Sequence, residues 1–172
     1  MTSDDAARGA AEDEVDRIVD AWRRERPDLE PEPLQVFSRV SRLSRHLDLA
    51  RRRAFAAHGL EVWEFDVLSS LRRSGAPYEL TPGRLLADTL VSSGTMTNRI
   101  DRMVAHGLVV RSSAPSDRRV VLVRLTPQGK ERVDSAMADL LESERALLAT
   151  LAPAERTTLI GLLRALLLPF DS

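Results

Sequence analysis

SSGTMTNRIDRMVAHGLVVRSSAPSDRRVVLVRLTPQG, residues 92–129, is the stretch whose reading decides the fold. A helix-length segment is closed by Gly107, and two β-branched runs follow, joined by a short polar loop that carries Arg118 and Arg119. Apolar Met96, Ile100, Met103 and Val104 mark the expected buried face of the helix, with Ser92 or Ser93 as its N-cap. Helix followed by basic hairpin is the layout of a winged helix-turn-helix. Such a helix fits a DNA major groove while loop arginines reach the adjacent minor groove. Residues 92–132 hold eight Lys/Arg against three Asp/Glu, a basic patch in a chain of net charge −1. A phosphate polyanion complements that patch.

Outward from this core, the punctuation predicts further helices. Thr81-Pro82 and Thr126-Pro127 each pair an N-cap with a proline at the first helical position, opening helices at 81–90 and from 127 to about 148. Residues 61–73 form another helix, ended by Ser74-Gly75. Val36, Val40, Leu43, Leu47, Ala50, Ala54 and Ala57 step by four and three along a long helix that Gly59 stops. Val15, Ile18, Val19 and Trp22 give one apolar face to an earlier helix that must end before Pro27, and PDLEPEP (27–33) reads as a linker. Residues 1–11 read as a frayed start, and Pro153 opens the last helix. The expected fold is mainly α with a small β-hairpin wing: a winged helix-turn-helix lobe at 61–126, a helical dimerisation region at 34–60 and 127–172, and an N-terminal extension helix and linker at 1–33.

Dimerisation is expected from the ends of the chain. The helix from 127 presents Val133, Met137, Leu140, Leu141 and Leu148 on one face, and the helix from 153 has leucines around most of its circumference. A helix apolar all round has to be buried, and a lobe of this size cannot cover it, so a homodimer is predicted. One larger monomeric bundle is the competing arrangement.

Composition excludes several classes. There is no cysteine, hence no disulfide, thiolate metal site or cysteine redox switch. The three histidines, His46, His58 and His106, are scattered, with His46 and His58 read on one helix but not facing the same way. No Gly-rich phosphate loop or nucleophile elbow is present, so neither an enzyme nor a cofactor is expected. The first residues carry two early acids and no apolar run, against a signal peptide, and the apolar stretch 159–170 is short and broken by Arg164. A cytoplasmic protein without a membrane partner is the expectation.

With this order of elements in place, residues 34–168 resemble the MarR family of dimeric winged-helix transcription regulators. The match lies in GLVVR (107–111), the D-x-R of Asp117, Arg118 and Arg119, and the V-x-L-T of 123–126 with Gly129. The resemblance implies that Arg119 enters the minor groove from the wing tip, oriented by Asp117, and that 93–106 is the recognition helix. Ser93, Thr95, Thr97, Asn98 and Arg102 are its candidate DNA contacts together with Asp117, Arg118 and Arg119; Asn suits adenine and Arg guanine. It also implies a ligand-responsive repressor on an inverted-repeat operator in double-stranded DNA.

A finer resemblance concerns the ligand. A urate-responsive branch of the family carries an extra N-terminal helix with a Trp, an Asp in the helix before the helix-turn-helix, and two Arg beyond. Trp22, Asp66, Arg99 and Arg111 occupy the corresponding places here. Urate is flat and anionic, so an indole can stack on it, guanidinium groups can hold its charge and a carboxylate can accept its ring N–H groups. Each residue also has a plainer role: core for Trp22, a bond to a neighbouring Arg for Asp66, polar surface for Arg99, a phosphate contact for Arg111. The alternatives are a sensor of another anion, aromatic or tricarboxylic, and a helical interaction protein without DNA function.

Overall fold

The computed structural model describes residues 12–89, 93–114, 117 and 119–170. The expected frayed start at 1–11, the Ser92 cap and Arg118 lie outside the described residues, as does the side chain of Ser93. The chain divides into two compact units, Met1–Leu49 and Ala50–Ser172, the boundary falling within a long helix.

In the first unit, helix α1 (Glu14–Glu25) begins at Asp13, whose carboxylate accepts from the Val15 N–H at 2.7 Å and the Asp16 N–H at 3.2 Å. Asp16 accepts in return from the Asp13 N–H at 2.9 Å, completing a capping box. Val15 and Val19 are fully buried. Arg39 of α2 (Glu32–Ala56) reaches both caps, with 2.8 Å to Asp13 and 2.8 Å to Asp16. At Asp13 partial desolvation pushes the carboxyl up, but the Arg39 hydrogen bond and the Asp16 and Val15 N–H groups outweigh it and hold the group below its usual range. Helix α2 begins earlier than the linker reading suggests. Pro33 sits in its first turn, where a missing N–H leaves no bond unmade.

The second unit holds the end of α2, helix α3 (Val62–Arg73), strand β1 (Glu79–Leu80), α4 (Pro82–Thr89), α5 (Ser93–Ala105), strands β2 (Val109–Ser113) and β3 (Val121–Leu125), α6 (Pro127–Leu148) and α7 (Pro153–Leu167) with a short 3₁₀ turn, Leu168–Phe170. Thr81 and Thr126 act as anticipated: their hydroxyls accept from Arg84 N–H at 3.2 Å and Gly129 N–H at 2.9 Å. Gly59 and Gly107 end their helices at φ of 65° and 69°. In both turns the residue after the glycine bonds five residues back, Leu60 to Phe55 and Leu108 to Met103, the Schellman arrangement. His58 therefore lies in a turn and not on α2, with Nε2 2.7 Å from Asp139 Oδ2.

The wing is a three-stranded antiparallel sheet of order β1-β3-β2, one strand more than the hairpin anticipated. Strand β1 is two residues long and pairs Glu79 with Arg124 and Leu80 with Val123, too short for alternation to announce it. The core is built from Phe55 stacked on Phe65 at 3.8 Å, with Leu68, Leu71, Leu85, Leu108, Val123 and Leu140 around them. Of the expected buried face of α5, Met96, Ile100 and Met103 are buried but Val104 is 40% exposed, because it stands a further 100° round the helix from Met103. Gly129 is fixed by a close approach: a Cβ there would run into the Leu108 carbonyl oxygen. Helix α7 has no buried residue. Among the described residues no single helix is long and apolar enough to cross a membrane.

Candidate nucleic-acid interface and ligand residues

Helix α5 presents Thr95, Thr97, Asn98 and Arg102 on its exposed surface while Met96, Ile100 and Met103 hold it to the core. Its amino-terminal half thus offers hydroxyl and amide groups and its last turn the Arg102 guanidinium, the set that reads base edges and phosphates. At the wing, Asp117 secures Arg119 twice. Its Oδ1 accepts from the Arg119 backbone N–H at 2.9 Å, and its two oxygens meet the guanidinium at 3.2 Å each. These bonds, from the guanidinium first and then the backbone, hold the Asp117 carboxyl below its ordinary range. The Arg119 side chain is nevertheless 91% exposed, a charged group projected from an anchored turn.

Wing and recognition helix are tied together by Arg111 of β2. Its guanidinium lies 2.5 Å from Asp101 and 3.5 Å from the Thr97 carbonyl oxygen, both on α5. Behind α5, Trp63 of α3 forms a second tie. Arg102 lies over its ring at 4.8 Å and Arg99 at 5.4 Å. Trp63, Thr95, Asn98, Arg99 and Arg102 line a cavity of about 280 Å³.

Asp66 lines a different cavity, of about 340 Å³, where Arg51 donates to it at 3.1 Å and Arg73, Phe65 and Asp88 are among the other lining residues. Asp66 and Arg99 thus face separate cavities, and Arg111 lines neither. Trp22, in the first unit, is 47% exposed and borders an apolar depression with Ile18, Ala21 and Glu25, so it is not a core residue. Sequence reasoning passed over Arg51, Arg73, Glu61, Trp63 and Asp101. A tryptophan in the first turn of a helix, flanked by Glu61 and Glu64 and followed by a recognition helix with Arg99 and Arg102, is the available signal for the Trp63 cluster.

A three-helix lobe that packs one face of α5 into its core and leaves the other exposed, beside a wing carrying Arg119, defines a DNA-binding protein of the winged helix-turn-helix class. A protein-family model described as MarR family matches residues 58–120. The HTH-type transcriptional regulator PecS of Dickeya dadantii is 37% identical over 150 residues, covering 87% of this chain and 90% of PecS. A mutant MarR from E. coli complexed with operator DNA superposes with a TM-score of 0.66 at 26% identity, over 80% of this chain and 96% of that one. BpsR of Bordetella bronchiseptica, whose structure concerns regulation of its DNA binding by 6-hydroxynicotinic acid, is 29% identical with a TM-score of 0.56, over 74% and 91% of the two chains. The chain belongs to the MarR family: it is a DNA-binding transcriptional regulator, not an enzyme.

Proposed function

We propose that the protein is a cytoplasmic, homodimeric repressor that binds an inverted-repeat operator and is released from it by urate or a closely related flat anion. The observation that carries the ligand reading is the Arg111 tie. A single guanidinium joins β2 to Asp101 and to the Thr97 carbonyl, so an anion that recruits Arg111 competes for the contact that keeps wing and recognition helix in register. Arg99 sits in the same helix, stacked on Trp63, and is equally open to recruitment. Loss of a surface tie of this kind, about 1 kcal/mol at most, couples the two equilibria by up to roughly fivefold in each protomer. The regulation of BpsR by 6-hydroxynicotinic acid, itself a flat anion, supports ligand control within the family.

The proposed ligand contacts are Trp22, Asp66, Arg99 and Arg111; the proposed DNA contacts are Ser93, Thr95, Thr97, Asn98, Arg102, Asp117, Arg118 and Arg119. Dimerisation through 34–60 and 127–172 is supported by the exposure of Ile160, Leu162, Leu166 and Leu167, between 44% and 61%, on a helix without a single buried residue. Half-sites about one helical turn apart follow from a dimer axis that coincides with that of the operator.

A second reading rests on the Asp66 cavity. Arg51 and Arg73 offer two guanidinium groups there beside Phe65, set against the carboxylates of Asp66 and Asp88, a lining that an aromatic or tricarboxylic acid enters by displacing Asp66 from Arg51, without Arg99 or Arg111. The test is a titration of urate, xanthine, hypoxanthine, trans-aconitate and salicylate against the preformed DNA complex of the wild type, Arg99→Ala and Arg73→Ala. Release by purines that Arg99→Ala abolishes supports the first reading. Release by another anion that Arg73→Ala abolishes replaces it with the second, and no release by any of them sinks both.

A further inference from the structure

The N-cap residue and first turn of α3 hold one side of the recognition helix with three side chains. Arg99 and Arg102 of α5 and His106, in the turn that closes it, are spaced three and four apart, and the His106 N–H still bonds the Arg102 carbonyl at 2.9 Å, so the three line one side. Trp63 lies beneath the first two guanidinium groups, and Glu64, only 2% exposed, holds His106 at 3.0 Å. Glu61 occupies the third place. One of its oxygens accepts from the Trp63 indole N–H at 2.7 Å and the other from the Arg102 guanidinium at 2.7 Å. The indole hydrogen bond, working with Arg102 against partial desolvation, holds the Glu61 carboxyl below the usual glutamate range, so the group is anionic at neutral pH.

We propose that Glu61 is a specificity-setting positioning residue: it restrains Arg102 and offsets its charge, so that this arginine is not available as an indiscriminate phosphate contact. The inference rests on α5 being the recognition helix. Non-specific affinity is dominated by free cations meeting phosphates, each released counterion contributing about 0.9 to the slope of log K against log salt. An arginine that is half exposed, at 50%, yet fixed by a carboxylate and an aromatic face contributes little to that slope. It keeps one orientation for whatever the groove presents. Nothing in this geometry requires Glu61 to touch DNA.

The experiment measures binding to a duplex selected from random DNA by the wild type and to a scrambled duplex of the same composition, across a potassium chloride series. Glu61→Gln is expected to raise affinity for scrambled DNA about five- to tenfold at 0.1 M salt, steepen its slope by about 0.9, and shift the selected duplex less, so that discrimination falls. Glu61→Gln placed on Arg102→Ala is expected to change nothing relative to Arg102→Ala alone. Trp63→Phe keeps the stack but removes the indole donor, and moves discrimination the same way; it carries the test if Glu61→Gln fails to fold. Unchanged discrimination in the variant, or the same gain with Arg102 absent, overturns the role of Glu61 while leaving the recognition helix intact. A wild type that does not prefer its selected duplex overturns the recognition-helix assignment and the proposal with it.

Discussion

Arg111, the central residue of β2, lies 2.5 Å from Asp101 on the recognition helix. The two side chains are 39% and 56% exposed, so water screens the pair and its worth is that of a surface ion pair with one extra backbone contact. The double-mutant cycle of Arg111→Ala and Asp101→Ala is expected to give a coupling of about 0.2–1 kcal/mol in urea unfolding, shrinking at 1 M salt, where screening acts within about 3 Å. Additive single effects would show that the wing and helix are joined by packing alone.

Gly129→Ala is expected to destabilise the fold by about 1–3 kcal/mol, although alanine is the better helix former, because its Cβ would have to displace the Leu108 carbonyl. The change appears as a lower urea midpoint with an unaltered slope. A stabilised variant would mean that α6 and the start of β2 are not in contact in solution.

Arg119→Ala is expected to weaken operator binding and flatten its salt dependence by roughly one counterion, since the side chain projects 91% exposed from the wing. Asn98→Ala should instead cost about 1–3 kcal/mol at particular base pairs and leave scrambled DNA little affected. Equal losses on both duplexes for both variants would remove the division of labour between wing and helix.

Charge introduced on α7 tests the second copy. Leu162 and Leu167 are 61% and 58% exposed in the single chain, so glutamate there would be harmless to an isolated protomer. If a partner covers them, the double substitution buries two carboxylates, and sedimentation is expected to show loss of the dimer together with operator binding. A wild-type dimer untouched by the double substitution would move the interface elsewhere.

Acid is expected to undo the α1 attachment. Asp13 and Asp16 are held below their ordinary range in the folded chain, so the unfolded chain takes up protons first as pH falls. The Arg39 contribution is therefore complete above about pH 4, the ordinary carboxylate value, and fades as pH drops through the depressed folded values. The gap in urea midpoint between the wild type and Arg39→Ala should be constant near neutrality and close as pH falls below the ordinary carboxylate range. A gap that persists in acid would assign Arg39 a packing role.

The sequence by itself determined most of the helix ends and the helix-then-hairpin order of residues 93–125. Those features are local. As caps, Thr81, Thr126, Gly59 and Gly107 act on backbone groups within five residues, although the Thr126 hydroxyl also donates to the distant Gly107 carbonyl, and the stripe of Met96, Ile100 and Met103 is written in the period of a single helix. Strand β1 was not legible, because two residues have no period and are a strand only through the Arg124 and Val123 they pair with. Nor was the environment of the candidate ligand residues. That Asp66 faces Arg51 and Arg73, that Arg99 lies on Trp63, and that Arg111 is paired with Asp101 depend on which helix faces meet. Periodicity says that a residue is outside the core; only the packing of α3 against α5, and of α5 against β2, decides which charge it finds there.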